Sequence, residues 1–312
     1  MSPRLRSRLS AVLIVLACLL APCGALAAWA AYGLGDTGRY VAAMAPLATD
    51  PHVREAVADA VGEGVLEEVE TAAARDGGVP GAGEAVPASD SVRLFVRDAA
   101  RSFTRTAAFR AGWETANRTV HGAVLHALRD DRTAGRAVTV DLAPVTARVR
   151  SRLAEDHVPM ADRIPVRPTP VTVLPAHDVD RLRKGYHVVD VAAFWLPLAA
   201  VVFAVAGIAV AACRRRAVTA TALGTALGGG LLALAVVVGR RLTVAGLPGP
   251  VDGPAAGAVY DALTTTLRTA AWVLVGLGLA VAVLSWLAGR LHTRRQGPTG
   301  PAVGPAPSRA RL

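Results

Sequence analysis

Cysteine is nearly absent. The 312 residues contain three, Cys18, Cys23 and Cys213, and none falls between Asp36 and Asp190. A disulfide framework is thereby excluded for that long middle segment, whose stability has to come from burying Val, Leu, Ala and Phe. Lysine is scarcer still: Lys184 stands alone beside 33 arginines, the bias of a GC-rich genome rather than of a function. Four long apolar runs lack Asp, Glu, Lys, Arg and His in their cores. Proton relays, ion-coupled transport and voltage sensing place ionisable groups there, so a secondary transporter is not expected. Neither a Gly-x-Ser-x-Gly elbow nor a phosphate-cradling glycine-rich loop occurs. The common hydrolase and nucleotide-binding signatures therefore do not apply.

What is present is apolar. Hydrophobic residues make up 53% and the mean hydropathy is +0.39, too high for an ordinary soluble domain. The net charge of +10 suggests nucleic acid until it is located. From Asp36 to Asp190 there are 20 basic residues against 22 acidic ones, whereas the rest of the chain holds 14 arginines against Asp252 and Asp261. The basic excess thus flanks the apolar runs, where it orients a membrane protein, and no nucleic-acid partner is expected.

The runs divide the chain. Residues 1–8 precede a first span, 9–34; residues 35–187 form a large domain; spans follow at 188–212, 217–239 and 269–289, with links at 213–216 and 240–268 and a tail at 290–312. Each run approaches the ~20 residues that cross a ~30 Å hydrocarbon core. The first is longer than a signal-peptide core. Although Ala25-Leu26-Ala27 resembles a cleavage site and Cys18 faintly resembles a lipoprotein box, an uncleaved signal anchor is expected. Eleven arginines (Arg4, Arg6, Arg8, Arg214, Arg215, Arg216, Arg290, Arg294, Arg295, Arg309, Arg311) fall on the side of both termini; Arg240, Arg241 and Arg268 fall opposite. By the positive-inside rule both termini are expected in the cytoplasm and residues 35–187 outside, in the cell membrane. The tail, rich in Pro, Gly, Ala and Arg, reads as disordered.

The large segment reads as mainly α-helical. Asp36 suits the cap of a helix reaching Leu47, and Asp50-Pro51 opens a second helix with an apolar stripe of Val53, Val57, Ala60, Val61 and Val65. A loop from Gly77 to about Ser89 precedes a helix at Asp90 or Ser91, with Val92, Phe95, Val96, Ala99 and Phe103 on one side. Another helix covers about Ala108 to Leu128. Ala137–Leu142 and Val171–Leu174 read as short strands around a helix from Pro144 to Glu155, a small two-stranded element. Asp178 is expected to cap a helix that runs on into the second span.

Candidate chemistry is sparse. Trp113, Asn117 and His121 recur at i, i+4 and i+8 on one side of a helix, bordered by Glu114, and form either a ligand-lining face or a packed, hydrogen-bonded one. The packed reading is favoured, since no nucleophile or second metal ligand joins them. His121 and His126 are five apart, not the four of a zinc helix, and the acidic residues Glu63, Glu67, Glu68 and Glu70 lack an EF-hand pattern. Asp141 is read as a helix cap near Pro144. No catalytic residue, metal or cofactor is expected. Gly224 and Gly228 form a small-xxx-small pair, read as packing inside the bundle ahead of homo-oligomerisation.

The chain resembles a family of uncharacterised four-span integral membrane proteins widespread in actinobacteria. The likeness is carried by Arg39-Tyr40 with Ala45-Pro46-Leu47-Ala48-Thr49-Asp50-Pro51, by Phe109-Arg110-Ala111-Gly112-Trp113, by Ala116-Asn117-Arg118 with His121, by Val138-Thr139-Val140-Asp141-Leu142 and by Trp195-Leu196-Pro197. It covers nearly everything but the tail, and implies the same membrane architecture without an activity. Three function classes follow. The first is a non-enzymatic envelope scaffold or sensor whose outer domain meets a protein, lipid or cell-wall component. The second is a permease-like subunit. The third is an envelope hydrolase or transferase.

Overall fold

The computed structural model describes residues 3–76, 90–130, 136–158, 161, 164–168, 170–211, 213–246 and 253–295. The expected loop from Gly77 to Ser89 and the tail beyond Arg295 lie outside them. Helix α1 (Pro3–Ala28) continues as a π-helix (Trp29–Leu34). Then come α2 (Thr37–Met44), a 3-10 turn (Ala45–Thr49), α3 (Pro51–Asp76), α4 (Asp90–Phe103) and α5 (Ala107–Arg129). Strand β1 (Val138–Asp141), α6 (Ala143–Glu155) and β2 (Pro170–Leu174) complete this segment. Three long helices follow: α7 (Ala176–Val210), α8 (Arg214–Ala245) and α9 (Gly253–Arg295).

Four helices are long and apolar enough to cross a membrane: α1 with its π-helical end, α7, α8 and α9. Helices α1 and α7 run antiparallel, with Gly24 against Pro197 and Gly207 against Ile14. Helix α8 lies parallel to α1 and antiparallel to α9, its Gly229 meeting Ala271 and Leu274. Small residues line these contacts: Ala193, Ala200, Ala222, Ala226 and Ala271 are all buried. Such residues let backbones approach closely where no hydrophobic effect drives association. The outer faces are apolar and exposed, as at Val201, Val205, Leu227 and Leu284. In hydrocarbon that exposure costs nothing; in water it would not persist.

The helices outrun their hydropathy. The link expected at 240–268 is helical on both sides, because α8 continues to Ala245 and α9 begins at Gly253. Polar residues interrupt the apolar run here without interrupting the helix. Arg240 Nε pairs with Asp261 Oδ2 at 2.9 Å, and the Tyr260 hydroxyl donates to the Val236 carbonyl at 2.9 Å. Likewise α9 runs through the start of the expected tail to Arg295.

Between the first two spans, local signals set most boundaries. The Asp36 carboxylate caps α2, accepting from Arg39 N at 2.7 Å. Pro46 then turns the chain into the 3-10 segment, so α2 stops at Met44 rather than Leu47. Asp50 Oδ1 caps α3 through His52 N and Val53 N. Strands β1 and β2 pair antiparallel, Val140 opposite Val171, with an irregularity at Val138/Thr139. Val138 and Val140 point into a cluster with Ala127 and the fully buried Val179. Asp141 ends β1 one residue before the N-cap, Leu142; its Oδ1 accepts from Ala143 N, so it steers the turn into α6 from outside the cap position it was expected to fill. Asp178, by contrast, does not cap α7. The helix starts at Ala176 after Pro175, whose fixed φ suits the entry, and Asp178 lies in the first turn.

Two expected apolar stripes are used differently from expectation. On α3, Val53 and Val57 pack on the start of α9, whereas Val61 and Val65 are exposed. Meanwhile Ala58, Gly62 and Leu66, on roughly the opposite side, are buried. The reason lies in α4, which meets that second side with its arginine edge. Arg93 pairs with Glu70 at 2.8 Å, Arg101 reaches Glu55 at 3.5 Å, Arg97 packs over Gly62, and Ala100 is buried between. Charge pairing with α3 therefore turns the apolar side of α4 outward.

Candidate functional site

The π-helical end of α1 is the junction where the long apolar helices meet the rest of the chain. A helix leaves its last carbonyls without intrahelical donors, and its C-terminus carries partial negative charge. Three side chains supply those donors here. Arg39 Nη1 donates to Tyr32 O at 3.1 Å, His121 Nε2 to Leu34 O at 3.0 Å, and Arg129 Nη2 to Gly35 O at 2.6 Å. Gly35 is required for this geometry, since a Cβ there would overlap the Ala31 carbonyl. Helices α2 and α5 are thus fastened onto the end of the first span.

His121 sits at the centre. Its ring stacks on Tyr40 with centroids 4.0 Å apart and planes 17° from parallel, and Nδ1 lies 3.2 Å from Thr37 Oγ1. Because a carbonyl only accepts, Nε2 carries the proton and Nδ1 accepts from the Thr37 hydroxyl. Burial pushes the imidazole pKa below its usual value, the Leu34 hydrogen bond opposes that, and the nearby Arg129 charge adds to the lowering while Asp36 counters it. Burial also raises the Tyr40 phenol.

The other members of the sequence-predicted face are engaged separately. Thr106 caps α5 by accepting from Phe109 N at 3.1 Å, fixing the register of the helix. One turn on, Trp113 Nε1 donates to Met44 O at 2.9 Å and its ring packs beside Met44, Leu47 and Val53. Trp113 also edges an apolar cleft of about 430 Å³ with Val57, Val61 and Val259. Asn117 Nδ2 donates back to Trp113 O at 2.9 Å, and Glu114 pairs with Arg118 at 2.7 Å on the surface. Each residue of the face therefore has partners of its own, and the described cleft that Trp113 edges includes neither Asn117 nor His121. Among the described residues, no group of three or more His, Cys, Asp or Glu is placed to hold a metal ion. Gly224 and Gly228 face α1: a Cβ at Gly224 would overlap Cys18 Sγ, and one at Gly228 would stand 3.3 Å from Pro22 Cδ.

Sequence motifs did not single out the groups that line a concavity at this junction. A cavity of about 580 Å³ is bounded by Trp29, Tyr32, Arg39, Tyr40, Leu263 and Thr266. The signal was available in the sequence: a Trp, two Tyr and an Arg within a dozen residues of the end of an apolar run form an interfacial belt. Trp29 Nε1 donates to Leu263 O at 3.2 Å, tying α1 to α9 beside it. No nucleophile–base pair is present in the cavity lining, so what it offers is shape and amphipathic contact.

The second exposed feature is the outer side of α4. Phe95 is 74% exposed and Val92 39%, with Ala99 exposed beside them and Val96 and Phe103 half-buried. Isolated exposed apolar residues are ordinary, but about two turns of one helix face are not. Set against known proteins, the chain matches no protein-family model, no curated protein and no solved structure.

Proposed function

We propose that this chain is a multi-pass protein of the cell membrane, with both termini cytoplasmic and residues 35–187 outside, in keeping with the four-span actinobacterial family it resembles. We infer that its outer segment acts without catalysis, as an interaction or scaffold module of the cell envelope. The observation that carries the reading is the outward turn of the apolar side of α4 while its arginine edge is spent on α3. Val92, Phe95 and Ala99 offer a partner protein an aromatic anchor with aliphatic neighbours, the pattern of a helix docked in a groove.

The orientation is supported by the arginines. Arg214, Arg215 and Arg216 open α8, and Arg215 Nη2 donates to Ala288 O near the end of α9, so both helices present their basic clusters at one end. A permease-like role finds less support, because only residues 211–213 separate α7 from α8 and leave no room for a coupling helix. A hydrolase or transferase would need Asn117 and His121 to face substrate, and Asn117 Nδ2 and both ring nitrogens of His121 are engaged with Trp113, Leu34 and Thr37.

Two measurements test this. In intact cells, a membrane-impermeant maleimide is expected to label a Glu63→Cys variant at that position, and to reach Cys213 only after the membrane is opened. The reverse pattern inverts the topology. A photo-crosslinking amino acid in place of Phe95, in native membranes, is expected to capture a second protein, whereas the same group at Arg118 does not. Equal capture at both positions overturns the assignment of the face; capture of a second copy of this chain makes it a homo-oligomer interface instead.

A further inference from the structure

Two concavities flank the first turns of α8. One, of about 610 Å³, lies between α1 and α8 and is lined by Ser10, Ile14, Cys18, Arg216, Gly224 and Leu227 among others. The second, of about 1150 Å³, lies between α8 and α9. Its lining includes Arg214, Arg215, Trp286 and Arg290, and it shares Cys213, Arg216 and Ala220 with the first.

The first groove runs from Ser7 to Pro22 along α1, about 22 Å at the helical rise, and so exceeds the ~15 Å depth of one hydrocarbon leaflet. Its walls are overwhelmingly apolar. Water does not fill such a space, since each ordered molecule needs two to four polar partners. An extended acyl chain matches both its length and its chemistry.

The mouth is cationic. Arg214, Arg215, Arg216 and Arg290 line the two concavities, and none of their described lining residues is acidic. The guanidinium of Arg290 lies 4.1 Å from the centroid of the Trp286 ring. Tryptophan in such a position marks the headgroup level of a bilayer, which puts the arginines at the depth of lipid phosphates. Guanidinium groups bind phosphate with both charge and directed donors.

We propose that the α1/α8 groove is a binding site for one anionic phospholipid of the leaflet on the arginine side. One acyl chain lies along Ile14, Cys18 and Leu227, and the phosphate is held by Arg216 with the neighbouring arginines of α8. The site rests on the membrane reading above, but not on which side of the membrane is cytoplasmic.

The test uses the full chain reconstituted in nanodiscs of phosphatidylcholine alone or of phosphatidylcholine doped with phosphatidylglycerol. Native mass spectrometry after release is expected to show one retained phosphatidylglycerol. Arg216→Gln is expected to reduce that retention about fivefold, the loss of one arginine contact to an anionic headgroup. Ala220→Phe, which places a ring in the shared lining from an exposed position, is expected to reduce it as well. Both variants should melt as the parent does in phosphatidylcholine alone, so a folding defect is visible separately. Inorganic phosphate is expected not to raise the melting temperature; if it protects as well as the lipid does, the site is a phosphate site and the proposal falls. Retention of phosphatidylcholine equal to phosphatidylglycerol, or equal retention by both variants, also overturns it. Should carbonate wash the chain out of cell membranes, the membrane reading itself fails, which is a different result from insertion without lipid preference.

Discussion

His121 lies flat on Tyr40 and bridges two backbone elements, its ring nitrogens reaching the last carbonyl of the π-helix and the first hydroxyl of α2. One imidazole thereby couples α5, α2 and the end of the first span. The bond from Nε2 to Leu34 O forms in either charge state, whereas acceptance by Nδ1 from the Thr37 hydroxyl belongs to the neutral ring.

This arrangement predicts a pH dependence with a defined sign. A histidine in the unfolded chain titrates near 6.5, and the folded value of His121 lies lower, mainly through burial. Between those values the unfolded state binds more protons, so its contribution is complete above ~6.5 and lost as pH falls through the folded value. Tyr40 stacks on the ring, and the charges of Arg129 and Asp36 act on it with opposite sign. Thermal melts of the full chain in nanodiscs should drop between pH 7.5 and 5 for the parent. His121→Gln should flatten the drop, and His121→Ala should cost about 1–3 kcal/mol at pH 7.5. An unchanged drop in the Gln variant would falsify the coupling.

Arg129 provides a second fastening, through Gly35 O at 2.6 Å and the Tyr186 hydroxyl at 3.0 Å. Its removal leaves a helix-end carbonyl without that donor, a cost of about 2 kcal/mol for a charge-assisted bond. Arg129→Ala should accelerate amide hydrogen exchange across residues 36–44 more than Arg129→Lys, which keeps the charge but not the fork. Parent-like exchange in both variants would show that the junction is held elsewhere.

Adjacent glycines in α8 are expected to behave oppositely. A Cβ on Gly229 would stand 2.9 Å from Ala271 O and from Leu274 Cβ, whereas Gly230 has nothing within 4 Å. Gly229→Val should destabilise by about 1–3 kcal/mol through overpacking, and Gly230→Val should remain within about 0.5 kcal/mol of the parent. Denaturation in mixed micelles reads both. Equal effects would mean that α8 and α9 do not pack along this line.

Phe95 separates stability from recognition. Its 74% exposure predicts that Phe95→Ser changes the melting free energy by no more than about 0.5 kcal/mol. If this face docks a partner as proposed, the same substitution should abolish that partner's capture in a pull-down with the full chain. A large loss of stability would show that the face is covered by this chain itself.

The apolar runs are legible in the sequence because hydropathy accumulates over some twenty residues and tolerates local error. Caps such as Asp36 and Asp50 are legible for the opposite reason: a single carboxylate next to a helix start has few other uses. Arg240 and Asp261 read as a break because each is polar alone, and only their pairing across two helices lets the helix continue. The apolar side of α4 was visible by spacing, yet spacing carries no information on which side a partner helix takes. That was decided by Glu55 and Glu70, more than twenty residues distant in sequence from their arginines. The Trp113, Asn117 and His121 face was correctly placed on one helix, but its partners Met44, Leu34 and Thr37 lie roughly seventy to ninety positions away, beyond any local pattern.

Helix α7 passes without interruption from the small sheet, where Val179 is fully buried, to Val210 at the other end of the bundle. At the helical rise its 35 residues form a rod about 50 Å long. Tilting such a rod by ~5° about one end carries the other sideways by roughly 4 Å. A lateral push at the strands would therefore be felt, by leverage, at the far end of the same helix. The one place along the way where the backbone lacks an amide proton to brace it is Pro197, seated on Gly24 like a fulcrum.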